Sequence, residues 1–246
     1  MSFRARPTGR SPETLYVETM RVAAALVLLV VPSSIASAQL CVGNTAFSIS
    51  RMQGVANADF DRLANRFTLE MRVRLWDLFA GAEYGIKTWD VTSLGGNSQA
   101  VAVTLGLAGA SPKARFGICP LVRWQWLDGP SEIGGGPWNF AEHEISGGLS
   151  VGALLSRTRL WDLIPTASIT FGTGNPKLTT TSGGDLNTYQ DWCCGRQSFT
   201  TLRLGLGLGF SDELTLVPAV TLPLGGERGV QKTYGLRAAL RLGKGI

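Results

Sequence analysis

Apolar residues alternate with small or polar ones along most of the chain, and the clearest stretch is residues 199–210. One face of this stretch is large and apolar: Leu202, Leu204, Leu206, Leu208 and Phe210. The other face is small, polar or charged: Thr201, Arg203, Gly205, Gly207 and Gly209. A helix would scatter these leucines around its circumference, so the period of two predicts a strand. About ten residues tilted at roughly 45° cross the hydrocarbon core of a bilayer, which this stretch is long enough to do.

The same period recurs in nine other segments, which gives ten predicted strands. They lie at about 45–55, 67–75, 78–87, 101–108, 115–126, 142–155, 163–171, 199–210, 214–222 and 232–242. If the first or the ninth segment is not a strand, the alternative is eight strands. Short connections at 76–77, 110–113, 156–162 and 211–213 alternate with longer ones near 54–65, 88–98, 127–141, 173–198 and 223–230. Pro120, Pro165 and Pro218 fall inside strands, and we expect a β-bulge at each because proline removes a ladder donor.

The apolar faces carry more large side chains than the interior of a closed barrel of this size can hold, so we expect them to face lipid. Aromatic residues gather toward strand ends, as in the girdles of membrane barrels. On this pattern the chain resembles the outer-membrane β-barrel proteins of Gram-negative bacteria over nearly all of residues 39–246. The resemblance implies an all-β, antiparallel transmembrane barrel in the bacterial outer membrane. It also implies periplasmic chain termini, extracellular long loops, and outer-membrane lipid and the barrel assembly machinery as partners.

The N-terminus reads as a secretory signal peptide covering residues 1–38, followed by a single barrel domain at 39–246. The apolar run 22–31 is too short to span a bilayer as a helix, Arg21 precedes it, and Ala36-Ser37-Ala38 forms a small-residue cleavage site. Met20 is an alternative start. Removing residues 1–38 takes four of the 23 basic and two of the 18 acidic residues, which leaves a net charge of +3. A charge this small excludes nucleic acid as the expected partner.

The predicted interior is rich in charge and biased toward arginine and lysine. Its basic residues are Arg72, Arg74, Lys87, Arg115, Arg123, Arg203, Lys232, Arg237 and Arg241. Its acidic residues are Glu70, Glu83 and Glu144, with Glu70 opposite Glu83 across the turn at 76–77. Rings of charge set the selectivity of pores, so the leading hypothesis is a narrow, porin-like or weakly solute-binding barrel that favours anions. The alternative is a structural or adhesive barrel whose lumen is blocked by salt bridges and which acts through its outer loops.

A hydrolase is a distant third hypothesis, because the single histidine, His143, fits neither known barrel pattern. Outer-membrane lipid A deacylases place a histidine two residues before a serine, whereas Ser146 follows His143 by three. No spacing supports the omptin proteases either. We therefore predict no catalytic, cofactor-binding or metal-ligating residues. Cys41, Cys193 and Cys194 are the candidate disulfide cysteines in an oxidising periplasm, and Cys119, facing the lumen, is expected to stay reduced.

Overall fold

A computed structural model describes residues 52–75, 78–90, 94–107, 115–130, 132–133, 136–158, 160–182, 185–188, 195–210, 213–228 and 230–242. Ten long strands form the body of this part of the chain. They are β1 Met52–Phe60, β2 Ala64–Leu75, β3 Leu78–Trp89, β4 Asn97–Leu107, β5 Phe116–Asp128, β6 Gly136–Ala153, β7 Trp161–Ser182, β8 Gln197–Phe210, β9 Leu214–Gly226 and β10 Thr233–Leu242. Four short strands, Leu94–Gly95, Glu132–Ile133, Ser156–Arg157 and Asp185–Thr188, pair beside or beyond them. The predicted signal peptide lies outside the described residues.

The ten strands close into an antiparallel barrel in which each strand from β2 to β9 pairs with the strand before it and the strand after it in sequence. Closure is completed by β1 and β10, whose ladder runs from Met52 opposite Leu242 to Phe60 opposite Tyr234. We call the end that carries Met52 and Leu242 the turn end, and the opposite end the loop end. The prediction of about ten strands is confirmed, and the eight-strand alternative is wrong.

The outer wall of the barrel is apolar, as the alternation predicts. Leucine, valine and isoleucine from seven of the ten long strands are exposed, and so are Phe116 and Phe210 near the turn end and Phe67, Trp126, Phe171 and Tyr234 nearer the loop end. The intervening residues are buried or half-buried and are mostly small, polar or charged. No helix in the described part of the chain is long and apolar enough to cross a membrane. An apolar wall around a polar interior is the arrangement of a barrel immersed in lipid.

The first strand is placed differently from the sequence-based prediction. We predicted a strand at 45–55, of which residues 45–51 lie outside the described residues and 52–55 belong to β1, which continues to Phe60. The long connection predicted near 54–65 is wrong, because only residues 61–63 separate β1 from β2. Asp61 closes this turn, because its Oδ1 accepts hydrogen bonds from the backbone N–H groups of Leu63 and Ala64 at 2.7 and 2.8 Å. Most outward residues of β1 between Met52 and Phe60 are glycine or alanine, so its apolar period is weak.

The other differences concern the ends of strands and the prolines. The loop predicted at 173–198 begins as strand, because β7 continues to Ser182 and its extension pairs with the start of β6 as far as Trp138. The predicted bulges at Pro120, Pro165 and Pro218 are absent from the described strands. Instead the ladder on one side of each proline stops short or skips a pair, while the other side continues in register. Proline lacks one donor, so losing pairing on a single side is sufficient. The one register shift in these ladders lies between Thr200 and Thr201.

Candidate functional site in the barrel interior

Two facing carboxylates occupy the middle of the interior. Glu70 on β2 pairs directly with Glu83 on β3, as the two-residue connection predicts. Arg72 binds Glu70 through two parallel hydrogen bonds of 2.7 Å, from Nε to Oε1 and from Nη2 to Oε2. The Glu70 side chain is 3% exposed and the Arg72 side chain 8%. Bidentate pairing offsets much of the desolvation cost that two buried charges carry.

Glu83 is bound by two arginines that approach from different strands. Its Oε1 accepts from Arg66 Nη2 at 2.9 Å and from Arg123 Nη2 at 3.0 Å. The same two nitrogens also donate to Gln125 Oε1, each at 2.9 Å. Because one carboxylate neutralises only one of the two guanidinium groups, this arrangement carries a positive excess. We call Arg66, Glu70, Arg72, Glu83, Arg123 and Gln125 the central cluster.

Inward-facing glycines make room for the ion pairs. A Cβ atom on Gly81 would lie 2.5 Å from Glu70 Oε1 and 3.4 Å from Arg72 Cγ. A Cβ atom on Gly174 would collide with Glu142 Oε1, and one on Gly235 with Asp59 Oδ1. The glycines of the interior therefore do not leave empty lumen at these positions. Their missing side chains are replaced by carboxylates that reach across from neighbouring strands.

A second group of charges lies on the wall formed by β8, β9, β10 and β1. Arg203 on β8 reaches across to Asp59 on β1, with 3.6 Å between Nη1 and Oδ1. Gly235 on β10, which pairs with Asp59, lets the Arg203 side chain pass. One inward position closer to the turn end, Arg237 Nε donates to Asn57 Oδ1 at 2.8 Å, and Asn57 Nδ2 donates to Thr68 Oγ1 at 3.0 Å.

A cavity of about 410 Å³ opens the interior toward the loop end. Its wall includes Lys87, Trp89, Phe140, Phe199 and Gln197. The Lys87 ammonium lies 3.7 Å from the centroid of the Trp89 ring, and Trp89 Nε1 donates to Ser98 Oγ at 2.8 Å. Among the described residues, Lys87 has no carboxylate partner. The cavity is thus large enough for a small solute and offers it both aromatic and charged surface.

One arginine binds two glutamates beside this cavity. Arg228, in the connection between β9 and β10, donates from Nη1 to Glu144 Oε2 at 2.6 Å and from Nη2 to Glu142 Oε2 at 3.0 Å. Its guanidinium also lies 5.4 Å from the centroid of the Phe199 ring. Because two carboxylates share one guanidinium, this group carries a negative excess. We call Arg228, Glu142 and Glu144 the loop-end clamp.

The structure brings most of the predicted interior charges together, but not all of them. Glu70, Arg72, Glu83 and Arg123 belong to the central cluster, Arg203 and Arg237 lie on the adjoining wall, Lys87 and Glu144 line the cavity, and Arg74 and Arg241 lie inward near the turn end. Arg115 precedes β5 and is exposed. Lys232 precedes β10, is exposed, and places its Nζ 4.9 Å from the centroid of the Tyr234 ring, which faces outward. Lys232 lies two positions before Tyr234, so the alternation along the strand already predicts that both side chains face outward.

Six charged residues of the interior were not predicted from the sequence: Asp59, Asp61, Arg66, Glu142, Asp162 and Arg228. Arg66 and Asp162 lie one position before the predicted strands 67–75 and 163–171, so extending each strand by one residue would have found them. Glu142 begins the predicted strand 142–155 and shares its face with Glu144. Four of the six are acidic, so the positive excess of the interior is smaller than predicted.

Two further predictions concern single residues. Cys119 is fully buried and disulfide-bonded, so the expectation that it stays reduced is wrong. The candidate disulfide cysteines Cys41, Cys193 and Cys194 all lie outside the described residues. His143 is exposed, with its ring centroid 6.5 Å from that of Trp126 in an edge-to-face contact. It therefore lies on the outer wall of β6, outside the lumen.

Within the described residues, no group of three or more histidine, cysteine, aspartate or glutamate side chains is arranged to hold a metal ion. No family model and no curated protein sequence matches the chain. Several solved structures are similar over most of its length. The beta domain of the Bordetella autotransporter BrkA shares 11% identity with a TM-score of 0.42, covering 78% of this chain and 98% of that one. The NanC porin shares 9% with a TM-score of 0.36, covering 78% and 100%. CdiB from Acinetobacter baumannii shares 5% with a TM-score of 0.30, covering 79% and 60%.

The class of the protein follows from the barrel itself. Ten antiparallel strands form a closed ring, the outer wall is apolar with aromatic residues toward both ends, and the interior is polar and charged. Closure gives the backbone groups of every strand edge a partner strand, which a membrane-spanning sheet requires because lipid offers no hydrogen bonds. The fold is that of an outer-membrane β-barrel.

Proposed function

We propose that the protein is a narrow, non-enzymatic barrel of the bacterial outer membrane that admits or weakly binds small solutes and favours anions. In this proposal the loop end faces outward and both chain termini face the periplasm. Solutes enter through the loop-end cavity and meet the arginines at mid-barrel. The sign of the charge in the narrowest section governs which ions pass.

The observation that carries the proposal is the state of the interior cations. Each glutamate of the central cluster and of the loop-end clamp is held by an arginine. Lys87 and Arg237, by contrast, have no carboxylate partner in the described part of the chain, and Arg203 makes only a loose ion pair of 3.6 Å. These cations and the extra arginine of the central cluster outnumber the extra carboxylate of the loop-end clamp, so the excess charge of these groups is positive.

Planar-bilayer conductance of the purified full-length protein tests this function. Under a salt gradient, we expect single-channel currents with a reversal potential on the anion-selective side. Lys87→Glu, which reverses a cation on the cavity wall, should shift the reversal potential toward cations. Lys177→Glu makes the same charge change at an exposed outward position on β7 and should leave it unchanged. Cation selectivity of the unmodified protein, or equal shifts in both variants, would refute the anion path.

The competing proposal is a structural or adhesive barrel with a blocked lumen that works through its loops. It is supported by the filled glycine positions at Gly81, Gly174 and Gly235, which show how tightly the ion pairs pack against the wall. Absence of any current in the bilayer experiment would favour this second function. The enzyme hypothesis remains the least supported, because His143 faces outward and stands apart from the interior carboxylates.

A further inference from the structure

Two neighbouring arginines on the mid-barrel wall are incompletely compensated. Arg237 uses Nε for Asn57, and its two terminal nitrogens have no hydrogen-bond partner among the described residues. Arg203 makes no hydrogen bond there, and its ion pair with Asp59 is 3.6 Å long. Their surroundings supply one carboxylate, Asp59, for two guanidinium groups, since Glu70 is already bound to Arg72.

The register brings the two arginines to neighbouring positions on the wall. Asp59 and Asn57, which anchor Arg203 and Arg237, are consecutive inward residues of β1. The Cα atoms of such alternate residues are about 7 Å apart, twice the rise per residue. Arg203 also passes within 3.2 Å of the Cβ position of Gly235, the inward residue of β10 that precedes Arg237. Anchors this close allow both side chains to reach one small ion between them.

Further toward the turn end of β1, a buried polar side chain has no hydrogen-bond partner among the described residues. Gln53 on β1 is 1% exposed, and neither its Nε2 nor its Oε1 has a hydrogen-bond partner in the described structure. It pairs across strands with Arg72 on one side and Arg241 on the other. Buried amides without protein partners are generally satisfied by water or ions.

We propose that Arg237 and Arg203 form a resident site for one small inorganic anion, such as a halide, bound between their guanidinium groups. The site deepens the anion-favouring function proposed above and rests on it. Asn57 is a positioning residue, because its Oδ1 holds Arg237 Nε and leaves the two terminal nitrogens available for an anion. The anion supplies the negative charge that two half-buried arginines with one carboxylate lack.

Bromide is the probe that locates the site. Crystals of the full-length barrel grown in sodium bromide should show an anomalous peak between Arg237 and Arg203 at wavelengths near the bromine edge. Arg237→Gln should lose the peak, and Lys87→Gln, which removes an interior cation at the loop end, should keep it. Absence of a peak between the two arginines in the unmodified protein overturns the proposal.

Chloride dependence of unfolding gives a second readout in solution. A ligand that binds only the folded state raises its stability with concentration, so chloride should raise the unfolding temperature relative to gluconate at equal ionic strength. Arg237→Gln should weaken the apparent chloride affinity by about tenfold, the loss expected for one charge-assisted hydrogen bond. Equal chloride dependence in Arg237→Gln and the unmodified protein refutes the site. If Arg237→Gln does not fold, Arg237→Lys should still weaken chloride binding relative to Lys87→Gln.

The outcomes for the site and for the pore are separable. An anomalous peak in a barrel that carries no current supports the anion site and refutes the pore. Anion-selective current without a peak refutes the site and leaves the proposed function intact.

Discussion

The central cluster and the loop-end clamp are built from the same two residue types in opposite proportions. In the central cluster Glu83 holds two arginines, and in the loop-end clamp Arg228 holds two glutamates. The Glu83 side chain is 5% exposed, but its partners Arg66 and Arg123 are 25% and 26% exposed, close to the 28% of Arg228. The deeper region therefore carries the positive excess, and the entrance carries the negative one. Arginine and glutamate thus give a positive region where two arginines share one glutamate, and a negative region where two glutamates share one arginine.

The largest expected effect comes from removing the shared carboxylate of the central cluster. Glu83→Gln leaves Arg66 and Arg123 close together without their common counterion. Breaking a buried ion pair in this way should lower the free energy of unfolding by about 3 kcal/mol. Urea unfolding in detergent micelles, followed by tryptophan fluorescence, measures the change. A loss below about 1 kcal/mol is typical of exposed ion pairs. It would show that water screens the charges of the central cluster, and that this cluster contributes no more stability than the loop-end clamp.

A smaller loss should follow from filling the glycine space beneath Glu70. The new methyl group of Gly81→Ala would lie 2.5 Å from Glu70 Oε1 and force the Glu70–Arg72 pair to move. Overpacking of this kind costs about 2 kcal/mol. Gly225→Ala is the matched control, because nothing lies within 4 Å of its Cβ position near the end of β9. Equal unfolding free energies for the two variants would mean that the Glu70–Arg72 pair does not pack closely against Gly81.

The smallest effect should come from the entrance. Glu144→Gln removes one of the two carboxylates that share Arg228, and the pair with Glu142 remains. The lost attraction is offset by relief of repulsion between the glutamates, so the free energy of unfolding should change by less than about 0.5 kcal/mol. The same urea titration reports it. A loss as large as that of Glu83→Gln would contradict the distinction between the two regions.

The outer wall was predictable from sequence because one rule governs it. Lipid-facing residues must be apolar and alternate residues point to opposite faces, so β2 to β10 could be recognised from their period alone. β1 was misplaced because Gly54, Ala56 and Ala58 face outward, and small residues give little contrast with the interior. Strand ends were harder, since the extension of β7 beyond Phe171 is fixed by pairing with β6 and not by its own pattern.

The interior obeys no comparable rule. The face of each charged residue followed from parity, but its partner depends on which strands meet across the lumen. Arg66 and Arg123 lie far apart in sequence and converge on Glu83 only in the closed ring. Asp59 was missed because β1 was shifted. The disulfide of Cys119 was missed because no sequence spacing connects it with another cysteine.

The seam between β1 and β10 has a consequence for how the protein forms. Every other ladder of the barrel joins strands that follow one another in sequence, but the seam brings Met52 opposite Leu242. Loop-closure entropy grows with the length of chain enclosed, and nonlocal pairing slows folding. The hairpins join strands that are adjacent in sequence, whereas closure must wait for the last strand and is expected to be the slowest pairing. Until then the outermost strands present unpaired edges, which are sites for pairing with other chains. Aggregation is therefore most favoured in the interval before the ten residues of β10 pair with the nine residues of β1.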